Sequence, residues 1–193
     1  DVLVYTSEVL REDLEVTGPI EVHLWAISSA PDTDFVARLT DVFPDDSSIC
    51  LTDGIVRARY RNYAEGEAPS PIQPGQPYHY VIDLWATSNV FLAGHRIRLQ
   101  ITSSSFPRWD RNQNTGHPIG ADAEVAVAWQ TILHDVEHAS CVVLILVAMS
   151  AGGVGGGEAV QSVVDRLEAD AAAQERKAWE GYTGFCAANQ LPT

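Results

Sequence analysis

Basic residues are scarce in this sequence: 12 Lys and Arg stand against 26 Asp and Glu, a formal charge of -14 at neutral pH. A surface with that field repels phosphate backbones and anionic lipid, so neither nucleic acid nor a membrane surface is expected as a partner. Long apolar runs are also missing. The longest, residues 141 to 149, has nine residues, well short of the roughly 20 that a helix needs to cross a bilayer. The amino end, Asp1-Val2-Leu3-Val4-Tyr5, has no basic region followed by an apolar stretch and a small-residue cleavage site, so no secretory signal is expected there. Cysteine is sparse, and Cys50, Cys141 and Cys186 are odd in number and far apart, which argues against a disulfide framework and against a CxxC zinc or redox site. A reducing, cytoplasmic compartment is the default expectation, with each cysteine a small buried hydrophobe. No cofactor is implied.

What the sequence does contain is the material of a folded domain. Its 193 residues are 46% hydrophobic and 20% charged, enough for one compact domain with an appendage or two very small ones. To about residue 147 the apolar positions recur with period two, in short runs punctuated by Gly, Pro, Asn and Asp, the pattern of half-buried strands. Ile20, Val22, Leu24 and Ala26 alternate with Glu21, His23 and Trp25; Val56, Ala58 and Tyr60 alternate with Arg57, Arg59 and Arg61; Ile97, Leu99 and Ile101 alternate with Arg96, Arg98 and Gln100. Similar runs cover residues 34 to 43, 78 to 85, 124 to 133 and 141 to 147. Eight or more strands with no helix between them predict an all-β antiparallel sandwich or jelly roll.

Asp53-Gly54 reads as a tight hairpin between two such runs. The proline-rich stretch 64 to 77 and the stretch 103 to 123 read as long crossover loops. The sandwich domain is thus placed at residues 1 to 149, a glycine-rich linker at 150 to 157 and a helical tail at 158 to 193. Val160, Val163, Val164, Leu167 and Ala171 fall at helical spacing, predicting an amphipathic helix to about residue 180. Its apolar stripe needs a cover: the sandwich, a second copy of the helix in a homo-oligomer, or another partner.

Several motifs could carry chemistry. His134-Asp135-Val136-Glu137-His138 satisfies an H-x-x-E-H zinc-peptidase pattern, but that chemistry needs both imidazoles on one helix face, and here strands flank the motif. A polar turn is the expected reading, with a metal-dependent enzyme using His134 and His138 as an alternative. Asp110-Arg111-Asn112-Gln113-Asn114-Thr115-Gly116 begins like a calcium loop, yet its glycine falls one place late and Ala121 stands where a bidentate Glu belongs. An Asx-rich turn accounts for the same residues. Asp32 with Asp34, and Asp45 with Asp46, read as solvated loop charges. Arg57, Arg59 and Arg61, like Arg96 and Arg98, read as solvent-face residues paired with acids across strands, or as an interface. No G-x-S-x-G elbow is present, Ser103-Ser104-Ser105 lies at a strand end, and no catalytic or metal-binding residue is assigned.

The stretches Asp1-Val2-Leu3-Val4-Tyr5-Thr6-Ser7-Glu8, Leu14-Glu15-Val16-Thr17-Gly18-Pro19-Ile20, Ala30-Pro31-Asp32-Thr33-Asp34-Phe35-Val36-Ala37, Leu51-Thr52-Asp53-Gly54-Ile55-Val56-Arg57-Ala58-Arg59-Tyr60-Arg61 and Phe106-Pro107-Arg108-Trp109-Asp110-Arg111-Asn112 together resemble one domain. It is the C-terminal domain of the X-Pro dipeptidyl-peptidase and cocaine-esterase-like serine hydrolases. The resemblance runs in order to about residue 146. It implies a galactose-binding-like jelly roll packed beside an α/β-hydrolase domain that carries the Ser-His-Asp triad. None of the triad maps onto this sequence, and nothing in residues 150 to 193 matches the family. The resulting expectation is a non-catalytic binding or accessory domain that shapes the cleft of an α/β-hydrolase partner. Its expected contact residues are Phe106, Arg108, Trp109 and Arg111, where aromatic and arginine anchors concentrate; the alternative for Phe106 and Trp109 is capping the core. The rival from another class is a carbohydrate-binding module using Trp25, Trp85, Trp109 or Trp129.

Overall fold

The computed structural model describes residues 1–118, 120 and 123–147. The chain divides into two compact units, Asp1–Ile145 and Leu146–Thr193. Of the second unit only the two-residue strand Leu146–Val147 is described. The expected glycine linker and amphipathic helix lie outside the described residues.

The period-two pattern becomes strands β1 (Val2–Thr6), β2 (Leu14–Ser28), β3 (Asp34–Val42), β4 (Ser48–Arg57), β5 (Pro77–Phe91), β6 (Arg96–Thr102), β7 (Gln130–Ile132) and β8 (Cys141–Val143) of the first unit. The first sheet has the order β1-β6-β3-β4. In the second, β2 is central, with β5 along one edge and β7 and β8 along the other. All these pairings are antiparallel, as the all-β expectation requires. On β2, Val16, Ile20, Val22, Leu24 and Ala26 are buried while Glu21, His23 and Trp25 point outward. A one-residue slip against β5 would turn that whole apolar set to solvent, at about 1.5–3 kcal/mol for each large side chain, so the burial pattern itself fixes the register. Phe35 of β3 meets Tyr80 of β5 across the core, ring centroids 4.8 Å apart.

The two sheets approach most closely along β4 and β5, and here the structure corrects the hairpin expected at Asp53-Gly54. Both residues lie inside β4, opposite Arg38 and Ala37 of β3. The glycine serves a different purpose. A Cβ on Gly54 would stand 2.0 Å from the carbonyl oxygen of Asp83 on β5, so only a residue without a side chain lets the two backbones meet. Beside it the Thr52 hydroxyl donates to the Leu84 carbonyl, tying the same seam.

Other expectations are corrected too. The run through Val56, Ala58 and Tyr60 is not one strand: β4 ends at Arg57 and a single 3-10 turn, Ala58–Tyr60, follows. The cause is local, because the Ala58 and Arg59 amides donate to Thr33 O and Asp32 Oδ1, at 2.9 and 3.0 Å, instead of continuing a ladder. Of residues 124 to 133 only Gln130–Ile132 is strand. The Ala126 amide donates to Gln113 O and the Trp129 amide to the Ser29 side chain, so neither amide enters a ladder with β2. Cys50 and Cys141 are exposed, not buried. Each lies on a stretch that turns it outward, Cys50 at the exposed start of β4 and Cys141 on the three-residue β8.

Gly54→Ala is expected to destabilise the domain by about 3 kcal/mol or more, because neither backbone at the seam has room to yield. A thermal melt would register this as a fall in Tm of about 10 °C.

Candidate functional site

The outer face of the first sheet carries a row of carboxylates that is covered by the loop following β6. Asp32, Asp34 and Asp53 are all buried. Each has a guanidinium. Arg57 Nε and Nη2 donate to the two oxygens of Asp34 at 2.7 and 2.9 Å, a bidentate fork, and Arg59 Nε donates to Asp32 at 2.7 Å. Asp53 takes two partners, Arg108 Nη1 at 2.8 Å and Arg38 Nη2 at 3.5 Å. The hydrogen bonds to Asp34 raise the proton affinity of Arg57 still further, against the opposing effect of burial. These pairs overturn two expectations. Asp32 and Asp34 are not solvated loop charges, and Arg57 and Arg59 do not line a solvent face, although the expected pairing with an acid across strands holds for Arg57 and Asp34. Asp45 and Asp46, by contrast, are exposed as expected, and Asp45 accepts from Ser47, which holds its carboxyl below the ordinary value. Arg96 and Arg98 engage β1 and its flank through Ser7 O and Thr6 Oγ1, with no acid involved in those bonds.

The same row fixes the loop above it. The Asn112 amide donates to Asp32 and Asp34 at 3.1 and 2.8 Å, while its oxygen accepts the Asn114 amide at 2.9 Å. Arg57 and Arg59 also donate to the carbonyls of Asp110 and His117, and Arg38 donates to Ser105. The segment that begins like a calcium loop therefore contains an Asx turn, with the Asn112 side chain engaged by Asp32 and Asp34 and the Asn114 side chain donating to Ala126 O. Above these ties, Phe106 is 71% exposed. Arg108 lies over the half-buried Trp109 ring, 4.8 Å from its centroid, and Arg111 is exposed. Asp110, Arg111, Gln113 and Gly120 line an open depression of about 320 Å³. Phe106 thus does not cap the core, whereas Arg108 both faces outward and anchors the loop.

The histidine motif resolves differently. Residues 134 to 140 bulge out of what is otherwise one strand, since β7 and β8 run the same way along β2. The Ser140 hydroxyl closes the gap by accepting the Trp25 amide and donating to Leu133 O. His134 Nε2 meets the Tyr5 hydroxyl at 3.0 Å and His138 Nδ1 meets Asp135 at 2.9 Å, so the two imidazoles serve separate partners. The pair that comes together is one the sequence does not announce. On the outward face of β2 and β5, His23 Nδ1 and His79 Nε2 are 3.2 Å apart. Burial, and then the neighbouring His23, hold His79 below its ordinary pKa. The acid-arginine row did have a signal, because Asp32-x-Asp34 and Arg57-x-Arg59 share a spacing of two and Asp34 pairs with Arg57 in register.

The molecule so built is an antiparallel β sandwich with one charged outer face closed by its own loop. The chain belongs to the family of X-Pro dipeptidyl-peptidase C-terminal non-catalytic domains, whose model matches residues 1–143. It is 50% identical over 146 residues to the cocaine esterase of Rhodococcus sp. (strain MB1 Bresler), covering 75% of this chain and 25% of that protein. Among solved structures, an aminopeptidase from a marine sediment Thaumarchaeota archaeon is similar at 33% identity with a TM-score of 0.72, over 77% of this chain and 26% of that one. An α-amino acid ester hydrolase is similar at 31% identity with a TM-score of 0.70, over 76% of this chain and 25% of that one. The chain therefore spans about a quarter of the length of these relatives.

Asp34→Ala strips the buried end of Arg57 of its partner and removes one of the two carboxylates that the Asn112 amide donates to. The expected cost is about 3–5 kcal/mol, the range for breaking a buried pair from one side. Urea unfolding of the variant beside Asp45→Ala, whose exposed carboxyl should matter little, checks it.

Proposed function

We propose that this chain is a non-catalytic accessory domain that docks on an α/β-hydrolase catalytic portion and shapes its cleft, with Phe106, Arg108, Trp109 and Arg111 as the contact surface. The observation that carries the reading is Phe106, an aromatic side chain 71% exposed on a loop that buried charge pairs hold fixed. A large apolar side chain turned to water on rigid backbone suits a pre-formed interface, since little ordering is left to oppose association. Family membership and the quarter share of much longer hydrolases support the same reading. The proposal includes a galactose-binding-like jelly-roll topology, a cytoplasmic setting and no acyl-transfer activity of the chain by itself. Among the described residues no helix is long and apolar enough to cross a membrane. A carbohydrate platform that joins Trp25 to Trp85 is disfavoured by their spacing. Trp25 lies opposite His79, and Trp85 is six residues further along β5, about 20 Å away at strand rise.

The purified chain is expected to show no turnover of short acyl p-nitrophenyl esters and no labelling by a fluorophosphonate. Saturable turnover with stoichiometric label would overturn the non-catalytic assignment. For the docking surface, Phe106→Ser should leave Tm unchanged. It should also weaken binding to the Rhodococcus esterase truncated before its matching stretch by at least about tenfold. Equal binding by the variant would remove Phe106 from the interface.

A further inference from the structure

The outward face of the second sheet holds a pair of imidazoles with nothing to do in the docking role. His23 lies on the central strand β2 and His79 on the neighbouring β5, where Trp25 pairs with His79 and His23 with Val81. They are diagonal neighbours on one face, a separation that long side chains bridge. Both are accessible, His79 being exposed and the His23 side chain 32% exposed.

We infer that His23 and His79 form a binding site for one first-row divalent metal ion of the zinc type, held by Nδ1 of His23 and Nε2 of His79 with water in the remaining positions. Three observations carry this. The two nitrogens are 3.2 Å apart; nitrogens bound to one tetrahedral zinc at 2.0–2.1 Å stand about 3.3–3.4 Å from each other, so the donor spacing is present and the rings have only to tilt until both lone pairs meet one ion. Glu21 Oε2 lies 3.6 Å from the other nitrogen of His23. At that distance the carboxylate makes no hydrogen bond to the ring, but its negative charge adds to the attraction for a cation at the pair. Third, the Trp25 ring packs against His79, centroids 5.1 Å apart, and limits its rotation. Among the described residues no third His, Cys, Asp or Glu completes a ligand set. The site is therefore a two-ligand chelate, open to solvent and weaker than a structural zinc centre, and the charge of -14 favours a cation at the surface.

Titration of the full chain with zinc chloride by calorimetry tests this. One saturable site is expected, and zinc should raise the Tm of the wild type. His79→Ala and His23→Ala should each weaken binding at least about tenfold and abolish that rise, and Glu21→Gln should weaken binding several-fold. These side chains project outward, so the metal-free Tm of each variant should match the wild type. His138→Ala, on the far side of Trp25, should bind zinc as the wild type does. No saturable uptake at millimolar zinc, unchanged binding by His79→Ala, or loss of binding in His138→Ala would each overturn the assignment, leaving the 3.2 Å contact an ordinary imidazole hydrogen bond.

Discussion

Three carboxylates out of water, Asp32, Asp34 and Asp53, set the terms for half of this domain. An ionised carboxylate in a low-dielectric setting costs several kcal/mol unless a cation and well-aimed donors meet it. The chain meets that demand from three directions. Arg57 comes from the end of β4, Arg59 from the turn that follows, and Arg108 from a loop about 50 residues further along the sequence. Each choice constrains the backbone. Arg59 reaches Asp32 because β4 stops and coils at Ala58, and Asn112 reaches both Asp32 and Asp34 because the loop after β6 folds down onto the sheet. A long irregular segment, which by entropy alone would wander, is held in place by charges that cannot be left unpaired.

The core imposes a second constraint that is independent of the first. Alternating burial on β2 and β5 fixes the register within one sheet, and Gly54 fixes how close the other sheet can come. Outside and inside are then linked through neighbouring residues of β4. Asp53 points outward to Arg38 and Arg108, while Gly54 lets the inner surface of the same strand touch β5. A change at either residue acts first on its own layer, because adjacent positions of a strand face opposite ways.

Strand existence was legible in the sequence wherever burial followed the period of two, as in β2, β5 and β6. The failures share a physical origin. Asp53-Gly54 looks like a turn because turn propensity is local, whereas this glycine answers to a backbone some 30 residues away that leaves no mark beside it. Asp32 and Asp34 look solvated because acids usually are, and the loop that covers them arrives 80 residues later in the sequence. The alternation at Val125, Val127 and Trp129 promises a strand, but the amides there are already taken by Gln113 and Ser29. Of the candidate contact residues, their clustering on one loop could be read in advance. That Phe106 is exposed while Arg108 is an anchor could not, because a Phe near a Trp has the same composition in a core as on a surface.

That division of labour within one short loop bears on how such a domain acts. An exposed aromatic on a mobile loop would bind only after ordering the loop, and each immobilised side chain subtracts from the affinity. Here the ordering is done by intramolecular charge pairs before any partner arrives. The same arrangement explains why so acidic a chain collects arginine at this face: Arg38, Arg57, Arg59 and Arg108 are four of the whole chain's 12 basic residues. Their charge is consumed internally by the buried aspartates, which leaves the rim of the loop to offer shape and apolar area instead of a net field. If the proposed docking holds, specificity at such a surface follows from fit to Phe106 and the stacked Arg108-Trp109 pair, with Arg111 a further exposed cation of the set, and salt should affect it less than it would an interface built wholly on unpaired charge.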